Sequence, residues 1–306
     1  MIIVVAPGQG SQTPGFLTPW LEEPGVHELL GAYAAESGLD LLQHGTEGTA
    51  EEIKDTRVAQ PLIVAAGLIT LKALGERGAI ERIGGIAGHS VGEITAAAGA
   101  GILTAFEAMR LVAERGRAMA EAAASEETGM SAVVGGDEAT VLAALEEHGL
   151  APANYNGGGQ LVVAGPKDGL AALAAAPPAG SRVIALQVAG AFHTSYMQPA
   201  VERMRAVAES VSPQDPTLPI WTNRDGSRVT SGAEFVDLMV GQVSSPVRWD
   251  LAMQSFAESG VTGIIELAPA GALVGLAKRG LKGVPTVAIK TPADLDAARE
   301  LLDGDK

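Results

Sequence analysis

An α/β fold is the class that the sequence predicts, and three observations point to it. Short apolar runs typical of buried strands alternate with longer apolar stretches at helical spacing. Hydrophobic residues make up 47% of the chain and aromatic residues only 4%, so Ala, Val, Leu and Ile must build most of the core. That composition suits helices and parallel strands. With 306 residues, the chain can form a large α/β unit that carries a smaller one.

The first part of the chain alternates strand and helix. IIVVA at residues 2–6 predicts a buried strand, and PGQGSQ predicts a loop in which glycine permits unusual backbone angles. We expect a helix near Val26 to Ser37 and then a loop. The following segments predict a short helix in TAEEIKD with Thr49 as its N-cap, a long apolar helix in QPLIVAAGLITLKALGERG, and a strand in IGGIAG.

The middle of the chain predicts a separate, smaller unit. Its segments are a strand in MSAVVGG, a helix in DEATVLAALEEHG with Asp137 as N-cap, strands in ANYNG and QLVVAGP, a helix in KDGLAALAAAP, and a strand in SRVIALQVAG. The order β-α-β-β-α-β is typical of a ferredoxin-like unit. We therefore predict a small subdomain at residues 126–189, inserted in a large subdomain of residues 1–125 and 190–306, with a cleft at its edges.

The last part returns to the large unit. AGAFHTSYMQPAVERMRAVAESV predicts a loop that leads into a helix, and PIWTN predicts a strand. Helices are expected from Ala233 to Val243 and from Pro246 to Ser259. The strand GIIELAP, the helix start AGALVGLAKRG and the strand PTVAIK complete the predicted large unit.

Composition excludes several classes of function. The chain has no cysteine, which rules out disulfides, thiolate metal sites and a cysteine nucleophile. The net charge of −15 argues against nucleic acid or an anionic membrane as partner. The apolar run at the N-terminus is too short for a signal peptide, and no stretch reaches roughly 20 uninterrupted apolar residues. We expect a cytoplasmic protein.

The segment Gly88-His89-Ser90-Val91-Gly92 lies where a predicted strand gives way to a helix. A nucleophile elbow requires this pattern, because the serine backbone is strained and side chains at the flanking positions would collide with neighbouring elements. A phosphate-binding turn or a tightly packed turn fits the same pattern.

A serine nucleophile needs a base, and the chain has five histidines. His27 and His148 lie in polar helical stretches and His44 in an apparent loop, so we expect all three to be exposed. His89 adjoins the serine, where the turn directs its side chain elsewhere. His193 follows the last strand of the small unit, at the edge of the cleft, and is the candidate base. A structural loop histidine is the alternative interpretation.

Six motifs together resemble one family over nearly the whole chain. They are APGQGSQ, GHSVGE, RGRAM at residues 115–119, NYNGGGQLVVAG, GAFHTSYM and GQVSSPVRW. Their order and spacing resemble malonyl-CoA:acyl carrier protein transacylases, notably the discrete enzymes of bacterial fatty acid and polyketide synthesis. The resemblance implies an α/β-hydrolase-like core with a parallel sheet and an inserted ferredoxin-like subdomain. It also implies transfer of malonyl from malonyl-CoA to the phosphopantetheine thiol of a holo-acyl carrier protein, in a ping-pong mechanism through a malonyl-serine.

The resemblance assigns roles to individual positions. Ser90 is implied as nucleophile and His193 as base, and the backbone N–H groups of Gln9 and Val91 as an oxyanion hole. Arg115 matches the arginine that binds the malonyl carboxylate, since a guanidinium offers two parallel donors. The position whose backbone carbonyl orients the histidine corresponds to Gln242.

Further positions match the lining of the pocket. These are Gln60, Met119 and Asn154, and Phe192, which agrees with the malonyl-selective pattern of the family. The resemblance implies no metal, no cofactor of the enzyme's own and a monomer. Lys278, Arg279 and Lys282 are candidates for a basic patch that receives an acidic carrier.

Two other functions fit parts of the pattern. A serine esterase or thioesterase would release free malonate, but its histidine usually lies near the C-terminus, whereas His193 precedes more than a hundred residues. A noncatalytic carrier-binding domain should have lost Ser90, His193 or Arg115, and the chain has all three. The sequence leaves open whether the carrier serves fatty acid or polyketide synthesis.

Overall fold

Eleven strands form two sheets within residues 1–304, which are the residues that the computed structural model describes. The strands are β1 (Ile2–Ala6), β2 (Gly85–Gly88), β3 (Thr128–Gly135), β4 (Ala151–Gly157), β5 (Gln160–Pro166), β6 (Ser181–Ala185), β7 (Ile220–Trp221), β8 (Arg228–Val229), β9 (Val247–Arg248), β10 (Gly263–Glu266) and β11 (Thr286–Ala288). The α-helices of the same residues are α1 (Val26–Ser37), α2 (Leu41–Glu47), α3 (Thr56–Glu76), α4 (Gly92–Gly99), α5 (Ala105–Ala124), α6 (Glu138–Glu147), α7 (Lys167–Ala175), α8 (Gln198–Ala208), α9 (Gly232–Gln242), α10 (Trp249–Glu258), α11 (Ala272–Gly280) and α12 (Leu295–Asp303). The predicted α/β class is confirmed.

The larger sheet has the strand order β11-β10-β1-β2-β7-β8. Neighbouring strands run parallel from β11 to β7, and β8 pairs antiparallel with β7. The registers place Val5 beside Glu266 and Ala6 beside Gly88, so the carboxyl ends of β10, β1 and β2 reach the same edge. Sites in parallel α/β sheets form at that edge, outside the carboxyl ends of the strands.

The helix α3 lies inside the core, where it packs against α4 and α5. By length and composition alone it could cross a membrane, but 83% of its most apolar window is buried inside the structure. A Cβ atom at Gly67 would lie 2.6 Å from Cγ2 of Thr95 on α4, so glycine permits the close approach of the two helices. The apolar character of α3 therefore follows from its packing in the protein core.

The second sheet has the order β6-β3-β5-β4-β9. The pairs β6–β3, β3–β5 and β5–β4 are antiparallel, and β9 pairs parallel with β4. Val141 and Leu145 of α6 and Leu173 of α7 pack on one face of this sheet. Met130 and Val162 on the other face belong to the main core. The second sheet therefore separates a small core of its own from the main one.

Several boundaries differ from the sequence-based expectations. The helix expected from Pro246 begins at Trp249, because Val247 and Arg248 pair with β4 as strand β9. The loop expected after Ser37 contains α2, whose first turn is capped by the Asp40 carboxylate that accepts from the N–H of Gln43. The predicted helix in TAEEIKD is a single 3₁₀ turn.

The proposed domain division stays a prediction, and residues 305–306 of its large unit lie outside the described residues. The last strand of the small unit ends at Ala185. The strand had been expected to continue into VAG.

Candidate active site

Three loops meet at the carboxyl edge of the larger sheet. β1 leads to Gln9, β2 leads to Ser90, and β7 leads to Asn223. Because β1, β2 and β7 are neighbours and parallel, their following residues lie side by side. The sheet topology thus places the candidate nucleophile between two other chain segments.

Ser90 occupies a strained turn between β2 and α4. Its φ is 55°, in the left-handed region that is unfavourable for a residue with a side chain. A Cβ atom at Gly88 would lie 2.0 Å from the carbonyl carbon of Gly92, and one at Gly92 would lie 2.2 Å from the carbonyl oxygen of Ala6. Both glycines are therefore required by the close approach of the elbow to its own helix and to β1.

A hydrogen-bond chain links Ser90 to His193 and onward to the main chain. Ser90 Oγ lies 2.7 Å from His193 Nε2, and His193 Nδ1 lies 2.9 Å from the carbonyl oxygen of Gln242. Because a carbonyl only accepts, Nδ1 carries the proton and Nε2 of the neutral ring is free to accept one. His193 also has a φ of 61° and is 4% exposed. The pair has the geometry of a nucleophile and its general base.

The environment of His193 disfavours its charged form. Burial, together with the nearby charge of Arg115, lowers the pKa of His193 to about 3. The hydrogen bond to the Gln242 carbonyl acts in the opposite direction. Gln242 is the last residue of α9, where carbonyl groups lack an intrahelical partner and the helix carries partial negative charge. That carbonyl stands where a hydrolase triad would have its acid.

Arg115 is buried beside the nucleophile. It is 1% exposed, and it belongs to a stripe of buried positions on α5 that includes Leu111 and Met119. Its Nη1 donates to Gln60 Oε1 at 2.8 Å, and its Nη2 donates to Gln242 Oε1 at 2.9 Å and to Ser90 Oγ at 3.3 Å. Burial lowers the pKa of Arg115 to about 10, which leaves the guanidinium charged at neutral pH.

Two residues whose backbone N–H groups are unpaired in the described part of the chain line the same cavity as Ser90. Gln9 and Val91 both line the cavity at Ser90. No group among residues 1–304 accepts a hydrogen bond from the backbone N–H of either residue. The side chain of Gln9 is engaged elsewhere, since its Nε2 donates to the carbonyl of Lys54 at 3.2 Å. Free N–H groups in this position can stabilise an oxyanion formed next to Ser90.

A cavity of about 370 Å³ opens over Ser90, between the two sheets. The predicted site residues on its wall are Gln9, Gln60, Ser90, Val91, Arg115, Met119, Asn154, Phe192 and His193. Gln242 lies behind this wall, in contact with Arg115 and His193. Ala132 and Val162 of the second sheet complete an apolar side. Within residues 1–304, no cluster of three His, Asp or Glu side chains could hold a metal ion.

The other four histidines differ in part from their expected exposure. His27 is exposed, whereas His44 and His148 are half-buried, His44 inside α2 and His148 at the end of α6. His89 turns away from Ser90, as expected, and its Nε2 lies 2.9 Å from Oδ1 of Asn156 on β4. This contact links the elbow to the second sheet.

Sequence reasoning missed two residues behind the elbow. Asn223 Oδ1 accepts from the N–H of Ser90 at 2.7 Å, and Asn223 Nδ2 donates to the carbonyl of Gly88 at 2.7 Å. Glu93 is 1% exposed, and burial raises its pKa to about 8. A polar residue directly after a strand of the parallel sheet was the available signal for Asn223. For Glu93 it was a carboxyl group in an otherwise apolar first turn of α4.

Comparisons with known proteins agree on one family. Residues 4–295 match the family described as acyl transferase domain. The malonyl CoA-acyl carrier protein transacylase of Mycobacterium tuberculosis (strain H37Rv) is 51% identical over 302 residues, which cover 98% of this chain and 100% of the relative. The protein of the same name from Escherichia coli (strain K12) is 34% identical and covers 97% of this chain and 98% of the relative.

Solved structures share the fold over nearly the whole length. The crystal structure of MCAT from Mycobacterium tuberculosis superposes with a TM-score of 0.95 at 51% identity, covering 98% of this chain and 99% of that one. A second structure has a TM-score of 0.89 at 32% identity, covering 98% of this chain and 99% of that one. It is described as a type II PKS acyl-carrier protein in complex with its malonyl-transacylase.

Proposed function

Because this chain belongs to the acyl transferase family of malonyl-CoA-acyl carrier protein transacylases, we propose that it moves a malonyl group from malonyl-CoA to the phosphopantetheine thiol of an acyl carrier protein. The observation that carries this proposal is the placement of Arg115. Its guanidinium is buried, touches the Ser90 hydroxyl, and is held by two neutral amide oxygens. No Asp or Glu of residues 1–304 forms a salt bridge with it, so it can pair with a carboxylate of the substrate.

The first half-reaction forms an acyl-enzyme. Ser90 Oγ attacks the thioester carbonyl of malonyl-CoA while His193 Nε2 takes the hydroxyl proton. The N–H groups of Val91 and Gln9 stabilise the oxyanion. When the intermediate collapses, the C–S bond breaks and the imidazolium returns its proton to the thiolate of CoA. The 2.7 Å contact between Ser90 and His193 supports this assignment.

The second half-reaction repeats the chemistry in reverse. The thiol of the carrier's phosphopantetheine enters the same cavity, His193 takes its proton, and the thiolate attacks the malonyl-serine carbonyl. The ester bond to Ser90 breaks, and the serine oxygen regains the proton from His193. A single cavity of about 370 Å³ at Ser90 suits donors and acceptors that bind in turn.

The selectivity for malonyl is assigned to the cavity wall. Arg115 binds the malonyl carboxylate, Gln60 and Gln242 hold the guanidinium, and Phe192 and Met119 fill the space beside the α-carbon. Asn154 supplies a polar group on the side of the second sheet. All of these except Gln242 lie on the cavity wall.

We also infer the finer description of the fold. The parallel arrangement of β11 to β7, with the nucleophile after a central strand, supports an α/β-hydrolase-like core. The order β6-β3-β5-β4 with antiparallel neighbours supports a ferredoxin-like subdomain. The division at residues 126–189 is proposed with one addition, since β9 joins this sheet from the C-terminal part of the chain.

The partners and surroundings of the enzyme stay predictions. Malonyl-CoA and holo-acyl carrier protein are the proposed substrates, with no cofactor or metal, no nucleic acid and no membrane. A cytoplasmic monomer is proposed. Arg279 of α11 is exposed and lines the cavity, which supports a carrier that approaches from the side of α11.

The decisive experiment is intact-mass analysis of the protein after mixing with malonyl-CoA. We expect a mass increase of one malonyl group on Ser90, which disappears when holo-acyl carrier protein is added and reappears on the carrier. Ser90→Ala is the control and should show neither change. Release of free malonate without carrier acylation would instead indicate a thioesterase. An adduct that persists in Ser90→Ala would contradict the assigned nucleophile.

A further inference from the structure

Glu93 is a buried carboxyl group that the mechanism above does not use. It lies in the first turn of α4, three residues after Ser90, and is 1% exposed. Among residues 1–304, Glu93 and Glu266 are the acidic side chains that are buried. Glu266 accepts from the N–H groups of Gly271, Leu273 and Val274, at the start of α11. Glu93 instead contacts Asn223 and Gln242, behind the elbow.

Both carboxyl oxygens of Glu93 accept short hydrogen bonds. Oε1 accepts from the backbone N–H of Asn223 at 2.6 Å, and Oε2 accepts from Nε2 of Gln242 at 2.6 Å. Burial raises the pKa of Glu93 to about 8, and the positive charge of Arg115 opposes that rise. The charge of Arg115 therefore acts on the pKa of Glu93, although no hydrogen bond joins the two side chains.

The two polar atoms of the Gln242 side-chain amide have opposite surroundings, since the nitrogen faces acceptors and the oxygen faces a donor. Nε2 faces three acceptors, which are Glu93 Oε2 at 2.6 Å, Asn223 Oδ1 at 3.0 Å and the Ser90 carbonyl at 3.1 Å. Oε1 faces Arg115 Nη2 at 2.9 Å. Exchange of the two amide atoms would place an acceptor against acceptors and a donor against the guanidinium. The three acceptors, of which the Glu93 carboxyl oxygen is the nearest, therefore favour the orientation in which the amide oxygen meets Arg115.

We propose that Glu93 is a positioning residue that acts through the Gln242 amide to hold the guanidinium of Arg115 in place for the substrate's carboxylate. The proposal rests on the function proposed above. It assigns a role to one more residue: the Glu93 carboxyl group orients Arg115 indirectly, through the side chain of Gln242.

The indirect contact has a chemical reason. An arginine has five N–H donors, four of them on Nη1 and Nη2. Gln60 and Gln242 each occupy one of those four, and the Ser90 hydroxyl accepts a third from Nη2 at the longer distance of 3.3 Å. A carboxylate can therefore bind the unused donor of Nη1 together with the Nη2 donor that otherwise contacts Ser90. A carboxylate of the protein placed directly on this edge would compete with the substrate. The Gln242 amide connects Glu93 to Arg115 and occupies only one of the Nη donors.

The rival interpretation is that Glu93 only anchors the loop after β7. In that case its loss would disturb Asn223, and with it the elbow and the serine, for every acyl group. Positioning through Arg115 predicts a loss confined to acyl groups that carry a carboxylate. The ratio of kcat/KM for malonyl-CoA to kcat/KM for acetyl-CoA separates the two interpretations.

The test uses Glu93→Gln in the full chain. We expect the malonyl-to-acetyl ratio to fall by about 10- to 100-fold, mainly through KM for malonyl-CoA. This is the range for loss of a hydrogen bond that involves a charged group, here the bond from Arg115 to Gln242. Glu234→Gln makes the same change in the exposed first turn of α9 and should leave the ratio unchanged. An equal loss with both substrates, or no loss, would overturn the proposal.

A double-mutant cycle isolates the path through the arginine. In an Arg115→Ala background, Glu93→Gln should change the malonyl-to-acetyl ratio no further, because the group it positions is gone. A further fall in that background would overturn the proposal. If Glu93→Gln does not fold, Glu93→Asp takes its place, since the shorter side chain cannot reach both donors. An unchanged ratio in Glu93→Asp would count against the proposal in the same way.

The wild-type protein separates this proposal from the one on which it rests. Absence of a malonyl adduct on Ser90, or of a preference for malonyl-CoA over acetyl-CoA, would remove the proposed function itself. A wild-type preference that survives unchanged in Glu93→Gln would remove only the role of Glu93.

Discussion

Arg115 gives the active site a charge that no neighbouring carboxylate neutralises directly. Most arginines of this chain are partly exposed and paired, as Arg77 is with Glu23 and Arg248 with Asp250. Arg115 is buried against amide oxygens and a hydroxyl. The charge of Arg115 offers a binding site for a carboxylate, and it also lowers the pKa of the neighbouring base, His193. One substitution of Arg115 therefore tests both effects.

Truncation of Arg115 should separate malonyl from acetyl transfer. In Arg115→Ala, the bound malonyl carboxylate would be desolvated without a partner, which costs about 2–5 kcal/mol. Acetyl-CoA has no carboxylate and should react as well as before or better. Arg115→Lys keeps the charge but loses the parallel donors and should fall between the two. The measurement is kcat/KM for both substrates, with Arg117→Ala as the control on the more exposed side of α5.

A folded Arg115→Ala protein with the wild-type malonyl-to-acetyl ratio would contradict this assignment. A melting curve of each variant shows that the protein is folded.

The same substitution should change how acetyl transfer depends on pH. Arg115 helps to depress the pKa of His193, which is about 3, so its removal should raise that pKa towards the ordinary value. A base must be neutral to act, and a higher pKa means that it becomes protonated at a higher pH. The acid limb of kcat/KM for acetyl-CoA should therefore lie at higher pH in Arg115→Ala than in the wild type. An unshifted limb would show that the two groups are not coupled.

Phe192 tests the shape of the pocket independently of charge. It is 6% exposed and lines the cavity next to His193. Phe192→Ser should make room beside the malonyl α-carbon and raise the use of methylmalonyl-CoA relative to malonyl-CoA. A methyl group discriminates by about 1–3 kcal/mol, so the ratio should move by tens of fold at most. An unchanged ratio, measured by competition of the two substrates, would remove Phe192 from selectivity.

The strand-turn-helix element from β2 to α4 shows how glycine positions determine a site. Its glycines lie where added carbon atoms would meet backbone, which cannot move aside as a flexible side chain can. The G-x-S-x-G pattern carried enough information to predict the elbow, since the steric requirement depends only on residues close in sequence. Asn223, which accepts from the serine N–H, lies 133 residues later in the sequence. Its position after a strand marks it as a candidate, but its contact with Ser90 could not be inferred from local pattern.

A pair of glycine substitutions tests the elbow. Gly92→Ala forces a Cβ into the carbonyl of Ala6 and should cost about 1–3 kcal/mol of unfolding free energy, with loss of the malonyl adduct. Gly31→Ala makes the same change in α1, where nothing lies within 4 Å, and should stabilise the protein by about 0.5–1 kcal/mol. Chemical denaturation measures both. Equal effects would show that the elbow has no special steric requirement.

The two sheets together enclose the site. The loops after β1 and β2 form one wall of the cavity, and residues of β3, β4 and β5 form the other. The alternation of elements was sufficient to predict the α/β class. The tie through β9 could not be predicted, because a two-residue strand has no periodicity and its pairing with β4 joins positions that are distant in sequence. Stacking of the Arg248 guanidinium 4.5 Å from the Tyr155 ring centroid strengthens this tie.

These contacts predict that both sheets unfold as one unit. β9 and the hydrogen bond from His89 to Asn156 join the second sheet to the first at points away from the chain crossings. Amide hydrogen exchange should give similar opening free energies for β1 and β5 in the presence of mild denaturant. Opening of β3 to β6 at a distinctly lower free energy would show an independently unfolding subdomain.

The hydrogen bond from His193 to the carbonyl of Gln242 places the group that orients the base in the main chain. Every amino acid at position 242 supplies that carbonyl, so a complete substitution series there would vary the amide that holds Arg115 and leave the acceptor in place. Insertion or deletion of one residue in α9 acts differently, because it turns the end of the helix by about 100° and carries the carbonyl away from the imidazole. The orientation of His193 therefore does not depend on residue type at this position, whereas it does depend on the number of residues in the helix that ends there.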